Sequence, residues 1–128
     1  MNREVASGHK LYDRYEKYDQ YSGLEPVLTA HLKAHKQGNR CAAAAFAHTS
    51  LPVVYRLLLR EHMHIPDEHI QDAAVDAVLR MLGEVNRMNL SQIRVVAWLH
   101  SVARRRVADR MVRIHRTGAT DVSSRRGH

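Results

Sequence analysis

The chain has 128 residues, a single cysteine and a net charge of +7. This length suits one domain with a modest core, and a lone cysteine excludes an internal disulfide and favours a reducing compartment. The longest apolar run, CAAAAFA at residues 41–47, is too short to span a bilayer, and the first residues lack a signal-peptide pattern. We therefore expect a soluble, cytoplasmic protein that has no membrane partner.

The positive charge is concentrated in the C-terminal part of the chain. Residues 1–79 carry 9 basic and 10 acidic side chains, whereas residues 80–128 carry 11 basic and 3 acidic ones. No lysine follows Lys36, so this charge comes from arginine, the side chain best suited to forked contacts with phosphate. A solvated surface would tolerate such a block, but the asymmetry favours a face that binds a polyanion.

The first half of the chain predicts helices separated by short breaks. Residues 1–22 are polar and tyrosine-rich and predict at most a short helix. Residues 25–36 place apolar side chains at helical spacing. Residues 39–63 also predict helix, broken or kinked around Pro52, with Ser50 as a helix cap.

The second half predicts two further helices and a loop. Pro66 opens a helix with an acidic first turn, which suits the helix dipole, and this helix runs to about Leu82. A loop, GEVNRMNLSQ at residues 83–92, follows. The last helix runs from about Gln92 to His115, before a tail that we expect to be disordered. Because no window alternates with period two, the chain predicts an all-α, compact bundle of about four to five helices.

The helix that follows Pro66 has two distinct faces. At about 100° per residue, its small and aliphatic side chains fall on one side and predict the core: Ile70, Ala73, Ala74, Ala77, Val78 and Met81. The opposite side carries Asp72 and Asp76 together with the apolar Val75 and Leu79. Acids flanked by exposed apolar side chains indicate a protein partner. The alternative is that another part of the chain covers them.

The last helix combines an apolar stripe with arginines. The stripe consists of Val95, Trp98, Leu99, Val102, Ala103 and Val107. Most of the arginines lie outside it, but Arg106 falls within it, where Asp109 is close enough to form a pair. A tryptophan at the position of Trp98 is more typical of a core anchor than of a base-stacking platform.

The N-terminal segment repeats tyrosine every third residue, at Tyr12, Tyr15, Tyr18 and Tyr21. This spacing spreads the rings around a helix instead of aligning them on one face. Packing on the domain or disorder is therefore favoured over covering the arginine face or stacking on bases.

Two of these segments together resemble a known family. HIQDAAVDAVLRML at residues 69–82 and AWLHSVARRRVADRMVR at residues 97–113 resemble the second conserved region of bacterial extracytoplasmic-function sigma factors, which direct RNA polymerase to promoters. The second segment is the closer match and shares the AWL triplet, an Ala-Arg pair, Asp109 and a basic end at the same spacing. The resemblance covers residues 46–116.

The resemblance implies a fold and a domain organisation. A sigma region 2-like helical domain is expected at residues 39–116. A partly helical extension at residues 1–38 precedes it, and a disordered tail at residues 117–128 follows it.

The resemblance also implies roles for particular residues. In the family, the acidic helix docks on a coiled coil of the largest subunit of the polymerase core, a role that falls here on Asp72, Asp76, Leu79 and Arg80. The loop before the last helix captures a flipped base of the separated minus-ten promoter strand, and the basic helix follows the DNA backbone. By resemblance, the loop contacts come from Asn86, Arg87 and Asn89, and the backbone contacts come from Arg94, Arg104, Arg105, Arg110 and Arg113.

The family also carries a C-terminal helix-turn-helix domain that this sequence lacks. Three explanations stay open: the chain is a piece of a longer protein, a separate protein supplies that domain, or a sigma-like fold is reused as an adaptor. An anti-sigma-like regulator is a further expected partner.

We therefore expect a transcription factor that binds core RNA polymerase and single-stranded promoter DNA. The alternatives are a protein-interaction adaptor or regulator without promoter recognition, and a helical module that binds nucleic acid nonspecifically. The sequence has no glycine-rich phosphate loop, no nucleophile beside a base and no cofactor fingerprint. We expect no enzyme activity, no catalytic residue, no metal and no cofactor.

Overall fold

The computed structural model describes residues 16–126, with side chains described as far as Arg116. It contains four α-helices joined by short turns. Helix α1 comprises Glu25–Lys36, α2 comprises Ala42–Glu61, α3 comprises Asp67–Glu84 and α4 comprises Val95–Arg126. No strand occurs in the described part of the chain, and the predicted all-α bundle of four to five helices is confirmed.

Helix α1 has the bounds that the sequence predicts. Leu28 and Leu32, four residues apart, are fully buried, and this pair fixes the face that α1 turns to the core. The helix ends because Gly38 adopts a φ of 92°, a left-handed conformation that glycine takes without steric penalty. Lys33 and Lys36 lie in its last turn, where positive charge suits the helix dipole.

Helix α2 runs through Pro52 as one helix, so a break at this point, one of the two predicted alternatives, is wrong, and the kink stays a prediction. Ser50 does not cap a helix, since its side chain is fully buried and its hydroxyl has no hydrogen-bond partner among the described residues. Apolar side chains on both sides of the proline, Phe46 and Leu58 among them, are buried in one core. Their burial offsets the roughly 3 kcal/mol that a proline costs inside a helix.

By length and composition alone, α2 could cross a membrane, a property it shares with core helices of soluble proteins. Its buried side chains, such as Val54 and Leu57, join the same core as those of the other helices. The helix therefore serves as the central element of this bundle.

Helix α3 follows the predicted pattern closely. It begins after Pro66 and has acidic residues in its first turn, as expected from the helix dipole. All six predicted core residues are buried: Ile70, Ala73, Ala74, Ala77, Val78 and Met81. Val75 and Leu79 are 41% and 60% exposed, which confirms the expected outer apolar face.

Helix α4 begins three residues later than the sequence predicts, at Val95. The carboxylate of Glu25 accepts the backbone N–H of Val95 at 2.9 Å and that of Val96 at 3.1 Å. A side chain from α1 thereby satisfies two of the unpaired amides of the first turn of α4. The helix continues to Arg126, past the predicted end at His115. The predicted tail at residues 117–128 lies outside the residues whose side chains are described.

Part of the predicted N-terminal extension belongs to the same core as the rest of the bundle. Tyr18 and Tyr21 are buried and join the cluster that contains Leu28 and Leu99. The expected packing of these two tyrosines on the domain is thus observed. Tyr12 and Tyr15 lie outside the described residues.

Candidate nucleic-acid interface

The loop between α3 and α4 is held as two short 3-10 turns, Val85–Arg87 and Leu90–Gln92. Each turn is anchored by its first residue, since Val85 and Leu90 are buried in the core. Asn86 is exposed, as is the side chain of Arg87. The loop therefore presents two of the three predicted base-contacting residues at the surface, between two buried anchor residues.

Asn89, the third predicted loop residue, has a structural role. Its side-chain oxygen accepts the backbone N–H of Ser91 at 3.2 Å and the Ser91 hydroxyl at 2.6 Å. These contacts cap the second turn. Only the amide nitrogen of Asn89 remains to donate a hydrogen bond to a ligand.

A cavity of about 500 Å³ opens beside this loop. The loop contributes Asn86, Arg87, Met88, Asn89, Leu90 and Ser91 to its lining, and α1 contributes Lys33 and Lys36. No carboxylate lines the cavity, and its three cations have no ion-pair partner among residues 16–116. The cavity, called here the loop cavity, is therefore a positively charged site.

Sequence reasoning missed Lys33 and Lys36 because α1 lies outside the resemblance. Their spacing of three residues places them on one side of a helix. That spacing is visible in the sequence, but the position of α1 beside the loop is a tertiary feature. Only the packing of Leu28 and Leu32 brings the lysines to Arg87.

A second cavity of about 570 Å³ adjoins the loop cavity and is lined in part by Ile93 and Arg94, the residues that precede α4. The two share Lys33, Leu90 and Ser91, and the second one also includes Arg94. Glu25 lines this second cavity, but its carboxylate is occupied by the first turn of α4. Arg94 lies 4.0 Å from Asp19, at the limit of an ion pair.

Three of the α4 arginines form ion pairs with acids on other helices. The pairs are Arg104 Nε with Glu61 Oε2 at 3.1 Å, Arg106 Nε with Asp76 Oδ2 at 3.4 Å, and Arg110 Nη2 with Asp72 Oδ2 at 3.0 Å. The predicted pairing of Arg106 with Asp109 is wrong, because α3 packs alongside α4 and offers Asp76 instead. Two arginines predicted to follow the DNA backbone, Arg104 and Arg110, therefore already hold carboxylates.

The predicted polymerase-binding residues and the arginine helix are not separate surfaces. Asp72 and Asp76 lie on the side of α3 that reaches Arg110 and Arg106. Leu79 is exposed beside them. Arg80 pairs within its own helix, at 3.5 Å from Glu84.

Arg105 and Arg113 differ from the other α4 arginines. Both are exposed, and neither has an ion-pair partner among the described side chains. Of the predicted backbone contacts, these two are the cations most readily available to phosphate.

A buried polar chain holds the N-terminal segment against α4. His100 is fully buried, and its Nδ1 lies 2.8 Å from the Tyr18 hydroxyl. Its Nε2 lies 2.5 Å from Glu61 Oε1, although not at the angle of a hydrogen bond. A proton on Nε2 suits the nearby carboxylate and leaves Nδ1 to accept the hydrogen bond that the Tyr18 hydroxyl donates.

Burial lowers the pKa of His100 to about 4, against the opposing effect of Glu61. The imidazole is therefore neutral at neutral pH, which agrees with its role as an acceptor for Tyr18. Glu61 also lies 3.9 Å from Lys17. Sequence reasoning missed this network because Tyr18 and His100 are 82 residues apart.

The histidines do not form a metal centre in the described part of the chain. There, no three histidine, cysteine, aspartate or glutamate side chains are close enough together to hold an ion. His69 instead contacts Arg110, at 3.2 Å, and Glu68, at 3.7 Å.

Comparisons of the chain with protein-family models, with curated proteins and with solved structures give no match. The function of this chain is therefore inferred from its cavities, its ion pairs and the sequence resemblance.

Proposed function

We propose that this chain is a sigma region 2-like transcription factor that binds core RNA polymerase and a separated promoter strand. The loop cavity carries this proposal. It combines Asn86 and Arg87 with Lys33 and Lys36, and no carboxylate among the described residues lines it.

The chemistry of the loop cavity suits a nucleotide. The Asn86 amide offers a donor and an acceptor to a base edge, and Arg87 offers a planar fork to a phosphate or a face to a base. Met88 adds partly buried apolar surface, and the two lysines attract the phosphates. A base that enters such a site from duplex DNA must first leave the stack, which is easier in a strand that is already separated.

The outer face of α3 supports the polymerase contact in this proposal. Leu79 and Val75 are apolar and exposed on a helix whose acids, Asp72 and Asp76, are only partly neutralised by arginine. Apolar exposure of this kind is typical of a protein-binding surface.

One observation favours the alternative function, a sigma-like adaptor without promoter recognition. Arg106 and Arg110 are engaged by α3 carboxylates, which reduces the charge that α4 offers to DNA. An adaptor would retain binding to polymerase or to a regulator and would lack measurable affinity for DNA.

Base preference tests the proposal directly. The measurement is the fluorescence anisotropy of labelled single-stranded oligonucleotides that differ at one position, with Asn86→Ala and Arg87→Ala as variants. Arg56→Ala is the matched control, since Arg56 is an exposed arginine on α2 that lines none of the cavities described here. We expect the loop variants to lose discrimination among bases and the control to keep it. Equal binding of every oligonucleotide, unaffected by the loop variants, would overturn promoter reading.

Capture of purified core RNA polymerase tests the second contact. Leu79→Lys changes the proposed docking face without breaking an ion pair, because Leu79 is an exposed apolar side chain. The double variant Asp72→Lys with Asp76→Lys also removes two ion pairs to α4, so Arg106→Ala with Arg110→Ala is its control. We expect the first two proteins to lose polymerase and the control to retain it. Retention by all three would remove α3 as the docking face.

A further inference from the structure

The loop cavity holds more positive charge than one nucleotide of a strand can neutralise. Lys33 and Lys36 line it from α1, Arg87 lines it from the loop, and no carboxylate lines it among the described residues. All three side chains are exposed, and none has an ion-pair partner among residues 16–116. A nucleotide within a strand brings a single phosphate charge. Three uncompensated cations around one cavity therefore favour a ligand that carries several negative charges close together.

The two lysines of α1 also interact with the dipole of their own helix. They lie in its last turn, where the C-terminus carries a partial negative charge of about half an elementary charge. The charge of the two lysines exceeds this partial charge about fourfold. Interaction with the dipole therefore leaves most of their positive charge available to a ligand.

The size and the donor groups of the loop cavity suit a small phosphorylated molecule. Its volume of about 500 Å³ lies within the range of roughly 300–1,000 Å³ that is typical of small-ligand sites. Each lysine offers three donors and Arg87 offers a planar fork, and both groups are common in phosphate sites. The side-chain amides of Asn86 and Asn89 line the cavity as well. A chain of linked phosphates has an acceptor oxygen for each of these donors.

The fold itself brings the two cationic walls of the cavity together. Leu28 and Leu32 of α1 are buried in the same core cluster as Val85 and Leu90, the two anchors of the loop. Helix α1 precedes residues 46–116, so the sequence resemblance assigns no role to its lysines. The combination of α1 lysines with a loop arginine is therefore a feature that only the structure reveals.

We infer that the loop cavity binds a free small molecule with two or more linked phosphates, and that this ligand competes with the promoter strand. The competition rests on the proposed function, which places the strand in the same cavity. The anion site depends only on Lys33, Lys36 and Arg87. Its ligand class is an oligophosphate, either inorganic or the phosphate tail of a nucleotide. When bound, the ligand neutralises the three cations and withdraws them from DNA.

Calorimetric titration of the whole chain with inorganic tripolyphosphate, without divalent cations, tests the anion site. Sulfate at matched ionic strength is the control for general charge attraction. We expect tripolyphosphate to fill one site per chain and sulfate to show no saturable binding over the same range, since it brings less charge and fewer acceptor oxygens. Absence of saturable tripolyphosphate binding, or equal binding of sulfate, would overturn the inference.

Two double variants that lose the same net charge locate the site. Lys33→Ala with Lys36→Ala removes two cations from the loop cavity. Arg56→Ala with Arg60→Ala removes two exposed cations of α2 that line none of the described cavities. We expect the first variant to bind tripolyphosphate about tenfold more weakly or worse, because charged hydrogen bonds are lost. The second should stay within about twofold, because distant surface charges are screened. Equal losses would show a response to net charge alone and would overturn the site.

A nucleoside triphosphate separates the two sources of the phosphate chain. Affinity equal to that of tripolyphosphate shows that the phosphates alone are recognised. A higher affinity that Asn86→Ala abolishes shows that the base is held as well. Either result supports an oligophosphate site. Binding of the nucleotide by a chain that does not bind tripolyphosphate would contradict it.

Displacement of a labelled single strand tests the competition and separates this inference from the proposed function. Tripolyphosphate should release the strand at the concentrations that fill the calorimetric site, and a strand that stays bound would overturn the competition. If Asn86→Ala and Arg87→Ala leave base preference unchanged while tripolyphosphate binds, promoter reading fails and the anion site stands. If they abolish base preference while tripolyphosphate does not bind, the anion site alone fails.

Discussion

The cations of the loop cavity and those of the α3–α4 contact have the same chemistry and opposite surroundings. Arg106 and Arg110 each meet a carboxylate from α3. Lys33, Lys36 and Arg87 meet no carboxylate in the described part of the chain. The cations of this chain thus fall into two groups: those that form ion pairs between helices, and those that remain available to a ligand. Only the packing of the helices decides to which group a cation belongs.

Arg104 also pairs with a carboxylate, that of Glu61. The same carboxylate contacts the buried His100. Because the pKa of His100 is lowered to about 4, the folded state keeps the imidazole neutral while the unfolded chain binds a proton below about pH 6.5. This contribution is complete above pH 6.5 and is lost as the pH falls toward 4. We expect the free energy of unfolding to fall over this range, because the unfolded chain gains a proton that the folded chain does not bind.

Urea denaturation at several pH values measures this loss. His100→Asn is the matched variant, because it keeps a polar group of similar size and removes the titration. The free energy of unfolding of this variant should change less between pH 6.5 and 4 than that of the parent chain. An unchanged pH profile in the variant would mean that other groups cause the acid sensitivity.

Removing the cations of the loop cavity should have the next largest effect. The triple variant Lys33→Ala, Lys36→Ala and Arg87→Ala loses three phosphate contacts, and we expect single-stranded DNA to bind on the order of 50-fold more weakly near physiological salt. The side chains are at the surface, so stability should change little. Anisotropy titration checks the affinity, and an affinity within twofold of the parent would contradict the assignment of this cavity.

The opposite result is expected for the cations that join the helices. Arg106→Ala with Arg110→Ala should lower the free energy of unfolding by about 0.2–1 kcal/mol per pair, the usual value for partly exposed ion pairs. DNA affinity should stay within about twofold, because these guanidinium groups already hold Asp76 and Asp72. Denaturation and anisotropy on the same samples test both parts. A large loss of DNA affinity without a loss of stability would contradict the assignment of Arg106 and Arg110 to the contact between α3 and α4.

Single removal of Arg105 should give the smallest measurable change. Arg105 is exposed and unpaired among the described side chains, so Arg105→Ala should weaken DNA of every sequence alike, by about fourfold. A change in base preference would show that this residue reads a base and does more than contact the backbone.

The sequence predicts those features that depend on one helix at a time. The core face of α3, from Ile70 to Met81, follows from the helical period alone, and so does the stripe of α4 around Leu99. The end of α1 follows from Gly38. The residues around Pro52 do not by themselves predict that α2 continues through it. The burial of both halves of α2 in one core outweighs the backbone hydrogen bond that the proline removes.

The candidate site could be predicted only in part, for the same reason. The loop residues Asn86 and Arg87 stand out in sequence, but Lys33 reaches them through the packing of α1. The cap that Glu25 provides to α4 and the bond from Tyr18 to His100 each join residues at least 70 positions apart. Contacts of this separation leave no periodic signal in a single sequence.

The salt dependence of single-stranded DNA binding tests the central claim most directly. It is measured side by side for the parent chain, the Lys33/Lys36/Arg87 triple alanine variant and the Arg106/Arg110 double alanine variant. The account predicts that the slope of log affinity against log salt falls in magnitude by about 2 in the triple variant and does not change in the double variant. An unchanged slope in the triple variant, or an equal fall per residue in the double variant, would contradict it.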